Sequence, residues 1–149
     1  MIFMKQRILF VCIHNSARSQ MAEAFVNHIC PESFEAMSAG LEPGKLNPLV
    51  VEAMQEIGIN ISGNATKSVA EMLRSGLDFS HVVTVCDEAS AERCPFFPGG
   101  GERLHWGFPD PSALTGTRDE RLPRVREIRD AIEAKVRVWC DAECPCAAA

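Results

Sequence analysis

The sequence predicts an α/β protein with a single domain, in which helices flank both faces of a four-stranded parallel sheet. Short apolar runs alternate with segments of helical periodicity, and this alternation is typical of right-handed βαβ units. The chain has 149 residues, the length of one ordinary domain, and 46% of them are hydrophobic. Beyond an alanine-rich end, the sequence shows no internal repeat, linker or low-complexity segment.

The first half of the chain supplies two strands and two helices. Residues 7–12 (RILFVC) form an apolar run typical of a buried strand, and residues 19–29 carry the apolar stripe of a helix. A weaker strand follows at residues 34–38. Asn47 can cap the next helix, which has proline at its first position, and Gly58 can end it.

The second half supplies two further strands and helices. Residues 68–76 begin with a capping box and predict a short helix. The β-branched residues within 81–86 (HVVTVC) predict a strand buried on both faces. A loop rich in proline and glycine follows at residues 94–101, and residues 103–106 (RLHW) can form a last short strand. Residues 122–140 repeat apolar side chains at helical spacing and predict a long closing helix.

This order of elements brings two cysteines to one crevice. We expect the first and third strands to be neighbours in the middle of the sheet, and such sheets bind ligands at the carboxyl ends of their strands. Cys12 ends the first strand and Cys86 ends the third. Both thiols are therefore predicted to lie at the same edge of the sheet.

Composition argues against several classes of partner. A net charge of −5 disfavours binding to nucleic acid or to an anionic membrane surface. No apolar run approaches the roughly 20 residues of a membrane helix, and the first residues do not resemble a signal peptide. The seven cysteines are unevenly spread, unlike those of a secreted disulfide scaffold. We therefore expect a cytoplasmic protein that binds neither nucleic acid nor membranes.

The loop between the first strand and the first helix has the features of an anion site. Backbone N–H groups at the helix start, the helix dipole and the N–H groups of a tight loop all attract an anion. Arg18 can clamp two oxygens of a tetrahedral oxyanion. Cys12 would experience the same positive potential, which favours a thiolate nucleophile. The short polar side chains of Asn15, Ser16 and Ser19 can fix the loop or hold the thiolate.

The alternative role for Cys12 is that of a small core residue, which is common for a cysteine at the end of a strand. A cysteine and an arginine at this spacing also occur together by chance. The strand before the loop, the helix after it and the Arg-Ser pair at the junction supply the context that such a motif requires. This context favours a nucleophile over a core thiol.

The segment FVCIHNSARSQMAEAF resembles the phosphate-binding loop of the low-molecular-weight protein tyrosine phosphatase superfamily, and more narrowly that of its arsenate reductase branch. The resemblance continues in order through SAGLEPGKLNP, EAMQEIGINIS, VVTVCDEASAERCP, HWGFPDPS and VREIRDAI, so it covers nearly the whole chain. It implies the same four-stranded fold. It also implies an enzyme that reduces arsenate, with phosphate or sulfate as mimics of the substrate.

The resemblance implies a role for each matching residue. Cys12 would be the nucleophile and Arg18 the oxyanion clamp. The remaining loop residues would bind the anion: Ile13, His14, Asn15, Ser16, Ala17 and Ser19. Cys86 would attack the Cys12–arsenic adduct and release arsenite, and Cys94 would then move the disulfide outward to Cys86–Cys94, where thioredoxin reduces it. Asp110, in GFPDPS, would be the general acid that protonates the leaving hydroxide.

Two other functions stay open on the sequence alone. A low-molecular-weight protein tyrosine phosphatase, which hydrolyses phosphomonoesters, would use the same loop with Cys86 and Cys94 as bystanders. A sensor of oxyanions or arsenite would use the tail cysteines without turnover. Ser112 stands where the phosphatases usually carry an aromatic residue, and the chain has no tyrosine, so a small inorganic oxyanion is favoured. No residue decides between thioredoxin, glutaredoxin with glutathione, and mycothiol as the electron donor.

Some thioredoxin-coupled relatives bind potassium beside the loop through an asparagine, a glutamate, a serine and an aspartate. Asn15, Glu23 and Ser38 match the first three positions, but the fourth falls at Lys67 or Ser68. The incomplete match argues against a potassium site, and the lysine can replace the cation. We expect no tightly bound cofactor and no metal ion.

The remaining cysteines lie mostly at the end of the chain. We expect the reductase-like domain to span residues 1–140 and residues 141–149 to form a disordered, cysteine-rich tail. Cys140, Cys144 and Cys146 are close enough in sequence to extend a disulfide relay or to bind arsenite or a metal, although a disordered end is favoured. Cys30, at a helix end, is predicted to be structural.

Overall fold

The computed structural model describes residues 6–85 and 101–143. Within these ranges, four parallel strands form one sheet in the order β2-β1-β3-β4. The strands are β1 (Gln6–Cys12), β2 (Phe34–Gly40), β3 (His81–Thr84) and β4 (Glu102–His105). The α-helices are α1 (Arg18–Ile29), α2 (Pro48–Glu56), α3 (Val69–Arg74) and α4 (Arg118–Glu143), and a 3₁₀ turn covers Pro111–Ala113. The predicted fold class is confirmed, with the first and third strands adjacent in the middle of the sheet.

The alternation of side chains along β1 places helices on both faces of the sheet. Ile8, Phe10 and Cys12 belong to the larger core, which they share with α1, α2 and α4. Leu9 and Val11 point to the opposite face and pack with α3. All five residues are buried, as expected for a central parallel strand covered on both sides.

The ends of α2 agree with the signals in the sequence. The Asn47 side chain accepts the backbone N–H of Leu49 at 2.9 Å, and Pro48 occupies the first position of the helix. Gly58 follows the helix with a φ of +83°, in the left-handed region that favours glycine.

The closing helix is longer than its apolar pattern predicts. It begins at Arg118, four residues before the predicted start at residue 122, and it contains Pro123. Thr117 caps this start, because its hydroxyl oxygen accepts the N–H of Glu120 at 3.2 Å. The first turn is polar and exposed, so it carries no apolar stripe to reveal it. No helix in the described part of the chain is both long and apolar enough to cross a membrane.

Candidate active site

The loop that joins β1 to α1 is supported from behind by the segment that follows β2. Three backbone N–H groups of residues 41–44 donate to three successive carbonyls at distances between 2.7 and 3.1 Å: those of Cys12, Ile13 and His14. In a trans peptide, a carbonyl and the next N–H point in opposite directions. The carbonyls of residues 12–14 point toward residues 41–44, so the N–H groups of residues 13–15 point away from that segment. These N–H groups line the concave side of the loop, where an anion would bind.

The Cys12 sulfur makes two hydrogen bonds on this concave side. Asn15 donates its backbone N–H to Cys12 Sγ at 3.0 Å, and Ser19 Oγ lies 2.9 Å from the same sulfur. The Asn15 amide Nδ2 donates to Ser19 Oγ at 2.8 Å. Since that oxygen already accepts a hydrogen bond, its own proton is available for the sulfur. Cys12 is a free thiol with only 3% of its surface exposed, and both contacts are made by its sulfur.

Asn15 fixes the curvature of the loop. Its φ of +54° lies in the left-handed region, which asparagine tolerates better than most residues. Its Oδ1 accepts Gln20 Nε2 at 3.1 Å and the backbone N–H of Lys67 at 2.9 Å. Gln20 is fully buried, and its Nε2 also donates to the carbonyl of Ala65 in a distant segment, a contact that the sequence did not reveal.

Gly40 is a second residue that sequence reasoning missed. A Cβ atom at this position would lie 2.7 Å from the backbone nitrogen of Asn15 and 2.8 Å from the carbonyl carbon of His14. Only glycine permits the end of β2 to approach the loop so closely. The available signal was the glycine of SAGLEPGKLNP, which is one of the segments that carry the family resemblance.

Arg18 and Asp110 meet at the other end of the loop. Arg18 is 4% exposed, donates NH1 to the carbonyl of Phe108 at 3.1 Å and places NH2 3.6 Å from Asp110 Oδ2. Asp110 Oδ1 accepts the backbone N–H of Ser112 at 2.9 Å. The predicted clamp and the predicted acid therefore lie together, although they are distant in sequence.

The other predicted residues divide into two groups. In the loop, Ile13 and Ala17 are buried, Ser16 is half-buried and His14 is exposed, with its Nδ1 2.9 Å from the carbonyl of Glu42. The predicted relay cysteines, Cys86 and Cys94, lie outside the described residues, as do Cys144 and Cys146.

A lysine occupies the region where some relatives would hold a cation. The Lys67 ammonium lies 3.9 Å from Glu23 Oε1 and donates to the carbonyl of Ala65 at 3.1 Å, while Ser38 Oγ donates to Glu23 Oε1 at 3.0 Å. Burial raises the pKa of Glu23, and the charge of Lys67 and the Ser38 hydrogen bonds oppose this shift. Among residues 6–85 and 101–143, no group of three or more His, Cys, Asp or Glu side chains is arranged to hold a metal ion.

A disulfide joins the far end of α1 to α4. Cys30, the residue that ends α1, is linked to Cys140, and their Cα atoms are 6.3 Å apart. Both residues are buried in the larger core. This cross-link pairs Cys140 with a residue 110 positions earlier in the chain, a pairing that the sequence did not reveal.

Comparison with known proteins identifies a family that this chain matches. Residues 7–144 match the low molecular weight phosphotyrosine protein phosphatase family. An arsenate reductase of Shouchella clausii is 42% identical over 137 residues, which are 92% of this chain and 96% of the relative.

Solved structures show the same likeness. An arsenate reductase in the phosphate binding state has a TM-score of 0.72 and 26% identity, over 92% of this chain and 98% of its own. A thioredoxin-dependent arsenate reductase of Corynebacterium glutamicum has a TM-score of 0.57 and 28% identity, over 90% of this chain and 63% of its own.

Proposed function

The chain belongs to the low molecular weight phosphotyrosine protein phosphatase family, and we propose that within it the protein acts as an arsenate reductase that receives electrons from thioredoxin. One observation carries the proposal: the buried Cys12 sulfur makes two hydrogen bonds on the concave side of an anion loop that ends at Arg18, whose NH2 lies 3.6 Å from Asp110 Oδ2. A relative with 42% identity over most of the chain is an arsenate reductase, which favours arsenate over a phosphomonoester.

The first step forms a bond between sulfur and arsenic. Arsenate binds to the N–H groups of Ile13 and His14 and to the Arg18 guanidinium, whose positive charge offsets that of the anion, while the Asn15 N–H donates to Cys12 Sγ. The Cys12 thiolate attacks arsenic, and one arsenate oxygen leaves with the bonding electron pair. This leaving oxygen belongs to a hydroxyl group of the arsenate, and Asp110 supplies the second proton, so that it departs as water. Arsenic is still pentavalent after this step.

The second step transfers two electrons. The Cys86 thiolate attacks Cys12 Sγ, a disulfide forms between the two cysteines, and the electron pair of the sulfur–arsenic bond stays on arsenic, which leaves as arsenite. Cys94 then attacks Cys86 by thiol–disulfide exchange and frees Cys12. The dithiol of thioredoxin reduces the Cys86–Cys94 disulfide and becomes oxidised itself. The proposed place of action is the cytoplasm, where thioredoxin is kept reduced.

The decisive experiment measures NADPH consumption with arsenate, thioredoxin and thioredoxin reductase. We expect sustained consumption by the wild type and none above background by Cys86→Ser or Cys94→Ser, because each variant interrupts the relay. Hydrolysis of p-nitrophenyl phosphate by the same two variants is the matched control, since that reaction requires no relay.

The competing functions give different results in this experiment. A phosphatase would hydrolyse the ester without arsenate-dependent NADPH consumption, and a sensor would show neither activity. Full reductase activity in both cysteine variants would exclude the relay. Replacing thioredoxin by glutaredoxin with glutathione, or by mycothiol, identifies the electron donor.

A further inference from the structure

Asn47 contacts three separate parts of the active-site region. Its side-chain oxygen caps α2 by accepting the N–H of Leu49 at 2.9 Å, and its backbone N–H donates to the carbonyl of Ser16 in the anion loop at 2.9 Å. The other polar atom of its side chain, Nδ2, donates to Ser112 Oγ at 3.0 Å. The cap requires only the oxygen, so the amide nitrogen is available for a second task.

Ser112 in turn contacts Asp110. Its backbone N–H donates to Asp110 Oδ1 at 2.9 Å, and both residues belong to the turn that begins the 3₁₀ segment Pro111–Ala113. The other oxygen of the carboxylate, Oδ2, lies 3.6 Å from Arg18 NH2. The Asp110 carboxyl group therefore lies between Arg18 of the anion loop and the backbone N–H of Ser112. The side chain of Ser112 is hydrogen-bonded to Asn47.

We propose that Asn47 is a positioning residue, which aligns the Asp110 carboxyl group with the anion loop through its hydrogen bond to Ser112. This inference rests on the proposed function, in which Asp110 donates a proton to the leaving oxygen. A general acid acts only within hydrogen-bond distance of the group it protonates, so small displacements of its segment lower the rate. Asn47 bonds to both the loop that binds the anion and the segment that carries the acid, so it sets the distance between them.

Two substitutions separate this role from helix capping. Ser112→Ala removes the acceptor and leaves the cap of α2 intact. Asn47→Ser keeps a good N-cap residue but has a side chain too short to reach Ser112. The control is Ser62→Ala, which removes a similar hydrogen bond, from Ser62 Oγ to Asn60 Oδ1 at 2.6 Å, elsewhere on the surface.

The measurement is the single-turnover rate of arsenite release from fully reduced enzyme in excess over arsenate, without thioredoxin. We expect Ser112→Ala and Asn47→Ser each to lower the maximal rate roughly 10-fold, a part of the 10²–10⁴-fold that general acids contribute. The enzyme concentration that gives half of the maximal rate is expected to change little. The double variant should be no slower than either single variant, because both remove the same contact. In an Asp110→Asn background, Ser112→Ala should have no further effect.

The outcomes distinguish this inference from the function on which it rests. If Asp110→Asn lowers the rate but Ser112→Ala and Asn47→Ser retain the wild-type rate, the positioning role is wrong and the proposed function stands. Additive effects in the double variant, or an equal loss in Ser62→Ala, would also overturn it. A wild type that releases no arsenite, or an Asp110→Asn variant with the full rate, would overturn the proposed chemistry itself.

Discussion

The two ends of helix α1 hold cysteines in opposite chemical states. Before its N-terminal end, Cys12 is a free thiol whose sulfur is hydrogen-bonded to the Asn15 N–H and to Ser19 Oγ. At its C-terminal end, Cys30 forms a disulfide with Cys140. The helix has 12 residues and is about 18 Å long. Among the described residues, one core thus holds both a free thiol and a disulfide.

The difference follows from what each end of a helix offers to a sulfur atom. The N-terminal N–H groups stabilise a negative charge, whereas the carbonyls at the C-terminal end repel one. Cys30 donates its N–H to the carbonyl of Val26 at 3.0 Å, and its own carbonyl accepts the N–H of Phe34 at 3.2 Å. The rings of Phe34 and Trp139, which are 4.4 Å apart, belong to the same core. A neutral disulfide suits this apolar end, and a thiolate suits the other.

The strongest test removes the cysteine chemistry at each end separately. We expect Cys12→Ser to lower arsenate turnover by at least about 10³-fold, because the nucleophile is lost, with little change in the free energy of unfolding. We expect Cys30→Ala/Cys140→Ala to do the reverse: turnover is kept, and the free energy of unfolding falls by about 2–4 kcal/mol, because the cross-link no longer restricts the unfolded chain.

Urea unfolding and arsenite release, measured on the same samples, check both halves of this prediction. Wild-type protein unfolded in the presence of dithiothreitol is the control, and it should be no more stable than the double variant. A double variant that unfolds at the urea concentration of the oxidised wild type would show that the Cys30–Cys140 link does not stabilise the fold.

The sequence predicted those features that depend on local patterns. The position of Cys12 at a strand end and the Asn47 cap follow from periodicity and from the chemistry of single residues, whereas the central place of the first and third strands was predicted from the rules of βαβ topology. The start of α4 at Arg118 did not, because its polar first turn carries no apolar signal.

Features that depend on contacts between residues distant in the sequence were not predicted. The Cys30–Cys140 link spans 110 residues, and the hydrogen bond between Asn47 and Ser112 joins segments 65 residues apart. Such a contact leaves no pattern in the residues next to either partner. No rule based on sequence spacing therefore predicts the pairing. The roles of Cys86 and Cys94 stay predictions, since both lie outside the described residues.

A smaller effect on stability is expected where Gly40, at the end of β2, approaches the loop that precedes α1. In Gly40→Ala, the new Cβ would lie 2.7 Å from the backbone nitrogen of Asn15, so the strand end or the loop must shift. We expect a loss of about 1–3 kcal/mol in stability, together with weaker phosphate binding measured by calorimetry.

Gly44→Ala is the matched control for Gly40→Ala. It lies in the same segment, but the nearest atom to its new Cβ would be the Cβ of His14 at 3.6 Å, an ordinary contact. Equal phosphate affinity in the Gly40→Ala variant and the wild type would show that the loop does not need this approach.

The smallest effect concerns Glu23, which lies on α1 between its two ends. Burial raises the pKa of Glu23 above its ordinary value of 4.5, and the charge of Lys67 opposes that shift. Between the unfolded and the folded pKa, the folded chain holds more protons than the unfolded chain, so stability falls as the pH rises through this interval. In Lys67→Met the opposing charge is lost, so the pKa of Glu23 rises further and the interval widens.

Unfolding in urea at pH 4 and pH 7.5 therefore separates the charge of Lys67 from its packing. We expect Lys67→Met to cost on the order of 1 kcal/mol at pH 7.5, and much less at pH 4, where Glu23 is largely protonated in both states. Glu23→Gln/Lys67→Met is the control, and its difference from the wild type should vary less with pH. A loss of equal size at both pH values would mean that the ammonium does not compensate the buried carboxylate. Replacing sodium by potassium should change the stability of the wild type little, because Lys67 already supplies the positive charge beside the loop.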